Sequence, residues 1–136
     1  MKIWYGYGSE HSMNLVMIGY FKDADTAAKA NDAIAQLTLQ VSADADAKLI
    51  EVGGHSTRFT DGMMNILHET NFFLVAPGEL EQFAYGVSLK QEENRLILTT
   101  DEADVSAFLK LFVQRGARVE VFSAHDFPDA PHGRGK

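Results

Sequence analysis

The period of hydrophobic and polar positions changes several times along this chain, and each change predicts an element. Leu15-Val16-Met17-Ile18 is an unbroken apolar run between Asn14 and Gly19. With Tyr20 and Phe21 following, it reads as a buried strand. The aromatic-rich residues 2–7 read as a shorter strand ahead of it. Over residues 26–40, Ala27, Ala30, Ile34 and Leu37 recur at helical spacing, with Val41 continuing the series. This predicts an amphipathic helix, which Asp23 or Asp25 can cap. Phe72-Phe73-Leu74-Val75 reads as a buried strand ended by Pro77-Gly78. Phe83, Tyr85, Val87 and Leu89 alternate with small or polar residues, the period of a half-buried strand. Gln91-Glu92-Glu93-Asn94 is a polar turn, and residues 95–100 return as the hairpin partner. Thr100 or Asp101 then caps a helix over 102–115, with Val105, Phe108, Leu109, Phe112 and Val113 as its apolar face and Gly116 at its end. Residues 118–122 alternate again as the last strand.

Residues 42–70 carry a mixed signal. Residues 42–46 read as a polar linker or a second helix start. Leu49-Ile50-Glu51-Val52 fits a short strand or a helix end, and Gly53-Gly54 breaks it. Thr60 or Asp61 can cap a short helix carrying Met63, Met64, Ile66 and Leu67. Without this insert the order is strand, helix, strand, strand, helix, strand. That order predicts an α+β fold, a ferredoxin-like sandwich whose antiparallel sheet carries its helices on one face. The other face is then open to bind or to dimerise. One strand exceeds the pattern, so 72–75 and 83–89 compete for a sheet position. Residues 1–124 form one domain, and residues 125–136, with two prolines and two glycines, read as a flexible tail.

Composition narrows the function. A chain of 136 residues is one domain, and 46% hydrophobic with 23% charged residues is an ordinary globule. There is no cysteine, which excludes a disulfide scaffold, a thiol nucleophile and a zinc–thiolate site. No apolar run approaches the roughly 20 residues of a membrane helix, and the first residues lack a signal peptide's apolar stretch. The expected location is cytoplasmic. Twelve basic against nineteen acidic residues give a net charge of −7. That charge disfavours nucleic acid and anionic membranes and favours a basic protein partner. The histidines show no metal-binding spacing, and no glycine motif fits a nucleotide, so no metal and no cofactor are expected.

Two stretches could carry chemistry. Gly6-Tyr7-Gly8-Ser9-Glu10-His11-Ser12 packs a carboxylate, an imidazole and two hydroxyls into seven residues. His11 could act as a general base and Glu10 could orient a substrate, with Ser9 or Ser12 binding it. The competing reading is a polar loop, because neighbours in an extended chain point to opposite sides. Gly53-Gly54-His55-Ser56-Thr57-Arg58 could cradle a phosphate through Arg58, or be an exposed turn. Trp4 and Tyr7 belong to an early aromatic cluster that either packs in the core or anchors a partner. His68 reads as a partly buried structural histidine.

The opening Lys2-Ile3-Trp4, Gly6 to Ser12 and Asn14 to Gly19 resembles a family of small uncharacterised bacterial and phage proteins. The resemblance covers about the first twenty residues and implies no activity or site. Two functional classes follow. One is a protein-binding module, such as an immunity protein or antitoxin that neutralises a basic toxin. The other is a small enzyme or phosphate-ligand-binding protein using Glu10, His11 and Arg58. A cleft joining those three residues would favour the second class, and a flat acidic or aromatic surface the first.

Overall fold

The computed structural model describes residues 13–50, 58–85 and 87–124. Its elements run β1 (Leu15–Tyr20), α1 (Ala24–Asp46), α2 (Asp61–Thr70), a 3-10 helix (Pro77–Ala84), β2 (Val87–Glu92), β3 (Arg95–Thr100), α3 (Ser106–Gln114) and β4 (Arg118–Ser123). The four strands form one sheet in the order β2-β3-β1-β4, every neighbouring pair antiparallel. The fold is α+β, in the ferredoxin-like strand order, with α2 and the 3-10 helix inserted between α1 and β2. β1 takes a central position because Val16, Met17 and Ile18 are buried on alternating faces of the sheet.

Asp23 caps α1, accepting the Thr26 backbone N–H at 2.7 Å and the Thr26 hydroxyl at 2.6 Å. These two hydrogen bonds hold its carboxyl below the usual aspartate range. α1 carries Ala27, Ala30 and Ala33 at buried positions, so its backbone lies close to what it covers. It does not end near residue 40. Residues 42–46 continue the helix rather than forming a linker, because the side chain of Asp44 is a tie. The buried Asp44 carboxylate accepts Gln40 Nε2 at 2.8 Å and Thr60 Oγ1 at 2.7 Å. Thr60 in turn caps α2 by accepting the Met63 N–H. One carboxylate thus fixes the end of α1 against the start of α2.

Residues 72–75 are not a strand. Asn71, left-handed at φ 54, ends α2. Phe72 and Val75 are then buried, while Phe73 and Leu74 face outward. The run is apolar because two of its residues reach the core, and no strand among the described residues pairs with it. The second strand begins at Val87, not at residue 83. Phe83 belongs to the 3-10 helix and packs edge-on against Phe108, ring centroids 4.9 Å apart. The hairpin turns at Glu93 (φ 56) and Asn94. Asn94 ties it to β1, accepting the Phe21 N–H at 2.8 Å and donating its side chain to the Phe21 carbonyl at 2.7 Å.

α3 begins at Ser106, four residues later than its sequence pattern suggests. Neither Thr100 nor Asp101 caps it. The Thr100 hydroxyl accepts the Glu102 N–H in the preceding turn. The Ala107 N–H is taken instead by Oε1 of the buried Gln82 at 2.7 Å. The buried face is rotated as well. Ala107, Phe108, Leu111 and Phe112 face the core, whereas Leu109 and Val113 are exposed. The helix is apolar nearly all round, and its polar positions Ser106, Lys110 and Gln114 recur four apart.

The core lies between the sheet and α1 with α3. Met17, Leu96 and Leu98 meet Ile34 and Leu37 from α1 and Phe108, Leu111 and Phe112 from α3. Phe112 lies over Gly19 and edge-on to Phe21 at 5.7 Å. A Cβ on Gly19 would come 2.7 Å from the Phe112 ring. On the opposite face Val16, Ile18 and Ile97 form a second apolar cluster with Tyr20 and Phe122 against it. Those first three side chains are buried, so that end of the face is not a bare surface.

Phe112→Ala should cost about 3–5 kcal/mol in chemical denaturation, as for a fully buried Phe. A loss below about 1 kcal/mol would show that Phe112 is not core. Gly19→Ala should cost about 1–3 kcal/mol by overpacking. Because both changes act on one contact, the Gly19→Ala, Phe112→Leu pair should lose less than the two single losses added. Strict additivity in the double-mutant cycle would contradict that seat.

Candidate functional site

Of the residues the sequence singles out for chemistry, Trp4, Tyr7, Ser9, Glu10, His11 and Ser12 lie outside the described residues. Arg58 lies within them and is exposed. It borders a cleft between the end of α1 and the start of the 3-10 helix, with Asp44, Thr60, Met63, Leu80 and Glu81. The void there is about 20 Å³, room for about one water. The carboxylates Asp44 and Glu81 beside Arg58 oppose the binding of a phosphate. His68 is exposed rather than partly buried, and stacks edge-on with Phe73 at 5.4 Å. A second, more open cleft of about 230 Å³ is lined by Lys29, Asp32, Gln36, Glu69, Thr70 and Arg115. Its two cations face two carboxylates, and the Arg115 guanidinium donates to the Thr70 carbonyl. No single ligand charge is selected.

The most developed polar cluster joins the 3-10 helix to α3. The Glu79 carboxylate accepts Lys110 Nζ at 2.6 Å, the Ser106 hydroxyl at 2.5 Å and the Ala76 N–H at 2.9 Å. Gln82 Nε2 donates to the Ser106 oxygen at 3.0 Å while its Oε1 holds the Ala107 N–H. Burial pushes the Glu79 carboxyl up, but the bonds from Lys110, Ser106 and Ala76 outweigh it and leave its pKa below the ordinary glutamate value. Ser106 and Lys110 resemble a nucleophile and base one turn apart. Here both donate to Glu79, which directs the hydroxyl proton away from any substrate. This cluster is a clamp. At the other end of α3, Gln114 donates to the Asn71 carbonyl. The segment 71–79 is thereby held along the helix at both ends.

The clamp leaves an outward surface that the sequence pattern had assigned to core. Leu109 and Val113 project from α3, with Val113 54% exposed, and Phe73 and Leu74 project from the clamped segment at 56% and 55%. At the N-terminal end of α3 stands an acidic group. Burial raises the Tyr85 phenol first, and the fields of Glu81, Asp104 and Glu102 raise it further. α3 has nine residues and is about 14 Å long, with the acidic group toward its start and Leu109 and Val113 along its exposed side. The signal for this surface is the excess of apolar positions on α3, more than one buried stripe can hold.

The clamp is testable by pH. Because the folded pKa of Glu79 is lowered, its contribution is complete above the unfolded glutamate value of about 4.3 and is lost as pH falls through the folded value. Glu79→Gln should cost about 1–3 kcal/mol at neutral pH and flatten the acid limb of the stability curve. An acid limb identical to wild type in urea titrations would show that Glu79 carries no linked proton.

No helix among the described residues is long and apolar enough to cross a membrane. No curated protein and no solved structure matches the chain. A family described as a family of unknown function, DUF6375, matches residues 1–134. The chain, with its ferredoxin-like α+β sheet and its clamped, apolar-faced third helix, belongs to that family.

Proposed function

We propose that the protein is a protein-binding module that takes up a basic partner on the face made by α3 and segment 71–76. The observation that carries this reading is the joint exposure of Phe73, Leu74, Leu109 and Val113 next to the carboxylates around Tyr85. Each part does a different job. Carboxylates speed encounter with a cationic surface but contribute little affinity once exposed to water. Desolvated apolar anchors hold the complex, and they slow its dissociation. The chain's net charge of −7 acts in the same direction as the local group. An immunity protein or antitoxin that occludes a basic toxin in the cytoplasm is the form this reading takes. Such a protein acts by covering a surface and needs no catalytic group of its own.

The test uses the full chain as bait in its native host, followed by kinetics on the purified pair. One basic protein should be retained by the wild type, with association slowing as salt is added. Glu102→Lys with Asp104→Lys should slow association by roughly 10-fold or more at low salt. Val113→Asp should mainly speed dissociation. Salt-independent association, or equal kinetics for all three proteins, would defeat the proposal.

A further inference from the structure

β4 is an edge strand. It pairs with β1 on one side, and on its other side no strand is found among the described residues. The direction of its backbone groups follows from the ladder. The Ala124 N–H donates to the Asn14 carbonyl at 2.8 Å, so even-numbered residues of β4 turn their hydrogen-bonding groups toward β1. Val119 and Val121 turn theirs outward, where they meet no partner among the described residues. Val121 is on the helix-bearing side of the sheet opposite Met17, yet it is 47% exposed. An edge with two consecutive outward groups and an exposed apolar side chain is a template for another strand.

The sequence of that edge is self-complementary. Ala117, Arg118, Val119, Glu120 and Val121 read the same in kind from either end, except that one charge is positive and the other negative. In an antiparallel pairing of two copies about Val119, Arg118 falls opposite Glu120 of the second copy. Glu120 falls opposite Arg118 of the second copy, and Val121 opposite Ala117. Both charged side chains are on the same face, so each cross-strand pair is directly opposed. Shifting the centre by one residue to Glu120 sets the two glutamates against each other. Both side chains are exposed, at 70% and 48%, and their contact within one chain is loose at 3.7 Å; one Glu120 oxygen accepts the Tyr20 hydroxyl at 2.9 Å and the other faces Arg118. The Arg118 guanidinium rests on the Tyr20 ring, 4.4 Å from its centre, which holds it at the rim of the sheet.

We infer that the β4 edge pairs with a second copy of this chain, antiparallel and two-fold about Val119, joining the sheets of the two copies into one. Reciprocal Val119 N–H to C=O bonds form the centre, flanked by Val121 N–H to the Ala117 carbonyl. The Ala117 N–H itself stays on the Phe112 carbonyl of its own chain. The pairing rests on the β4 backbone edge with Arg118 and Glu120, and the proposal for the basic partner on Phe73, Leu74, Leu109 and Val113, so different variants test the two and either assignment can fail alone.

The experiment is sedimentation equilibrium of the full chain from micromolar to millimolar concentration at moderate salt. The wild type should rise toward twice the monomer mass. Arg118→Glu alone and Glu120→Arg alone each place like charges opposite each other twice, and each should associate at least ~10-fold more weakly. An equimolar mixture of the two variants restores both opposite-charge pairs and should associate within ~3-fold of wild type. Circular dichroism checks that each variant folds. Should either single variant fail that check, the swap R118E with E120R on one chain regenerates the same pairs and should dimerise as wild type. A wild type that stays monomeric overturns the inference, as do unchanged single variants or a mixture that stays apart.

Discussion

The seat of Phe112 over Gly19 is the contact on which the rest of this structure depends. A ring can lie on a sheet at that point only because the strand beneath it has no side chain. Phe21, at the end of β1, closes the ring's edge, and Asn94 fastens that same residue to the hairpin. One aromatic thereby sets the height of α3, the end of β1 and the position of the β2–β3 turn. The small buried face of α1 does the equivalent work on its side of the core, where alanines let the helix backbone approach.

Polar ties hold what apolar packing leaves loose. Between α2 and β2 no ladder is formed among the described residues, and the peptide groups there need partners from elsewhere. Asp44 supplies one anchor by joining the end of α1 to the cap of α2. Glu79 and Gln82 supply the other by joining the 3-10 helix to the start of α3. These ties are fully bonded and largely buried, which suits a rigid support better than a reaction centre. Their consequence is a helix whose inner face is fixed and whose outer face is left apolar. A rigid, partly hydrophobic helix face near a carboxylate group is what a binding surface needs, since little ordering entropy remains to be lost on association.

The sequence legibly carried the parts whose cause is local. The run at Leu15 to Ile18, the alanine spacing of α1, the caps at Asp23 and Thr60, and the strands at 95–100 and 118–122 all appear where the sequence pattern places them. So does the β-α-β-β-α-β order and hence the α+β class. Less legible were elements whose cause lies far along the chain. Phe72 to Val75 has the composition of a strand, but Phe72 and Val75 are held in the core with no ladder partner among the described residues. Phe83 has the right spacing for a strand and is used by a 3-10 helix that packs on α3.

The candidate site divides in the same way. By itself the sequence determined the acidity, the absence of thiol chemistry and the strong apolar content of α3, because these are properties of residue types. Only the tertiary structure decided which side of α3 is inside. Gln82 caps the helix from 25 residues away, and Phe112 finds Gly19 from across the sheet. Those two long-range contacts fix the rotation of α3, turning Leu109 and Val113 outward and Leu111 inward. A wheel that is apolar nearly all round cannot choose its own buried face, because every rotation of it buries a similar apolar area until a partner surface is present.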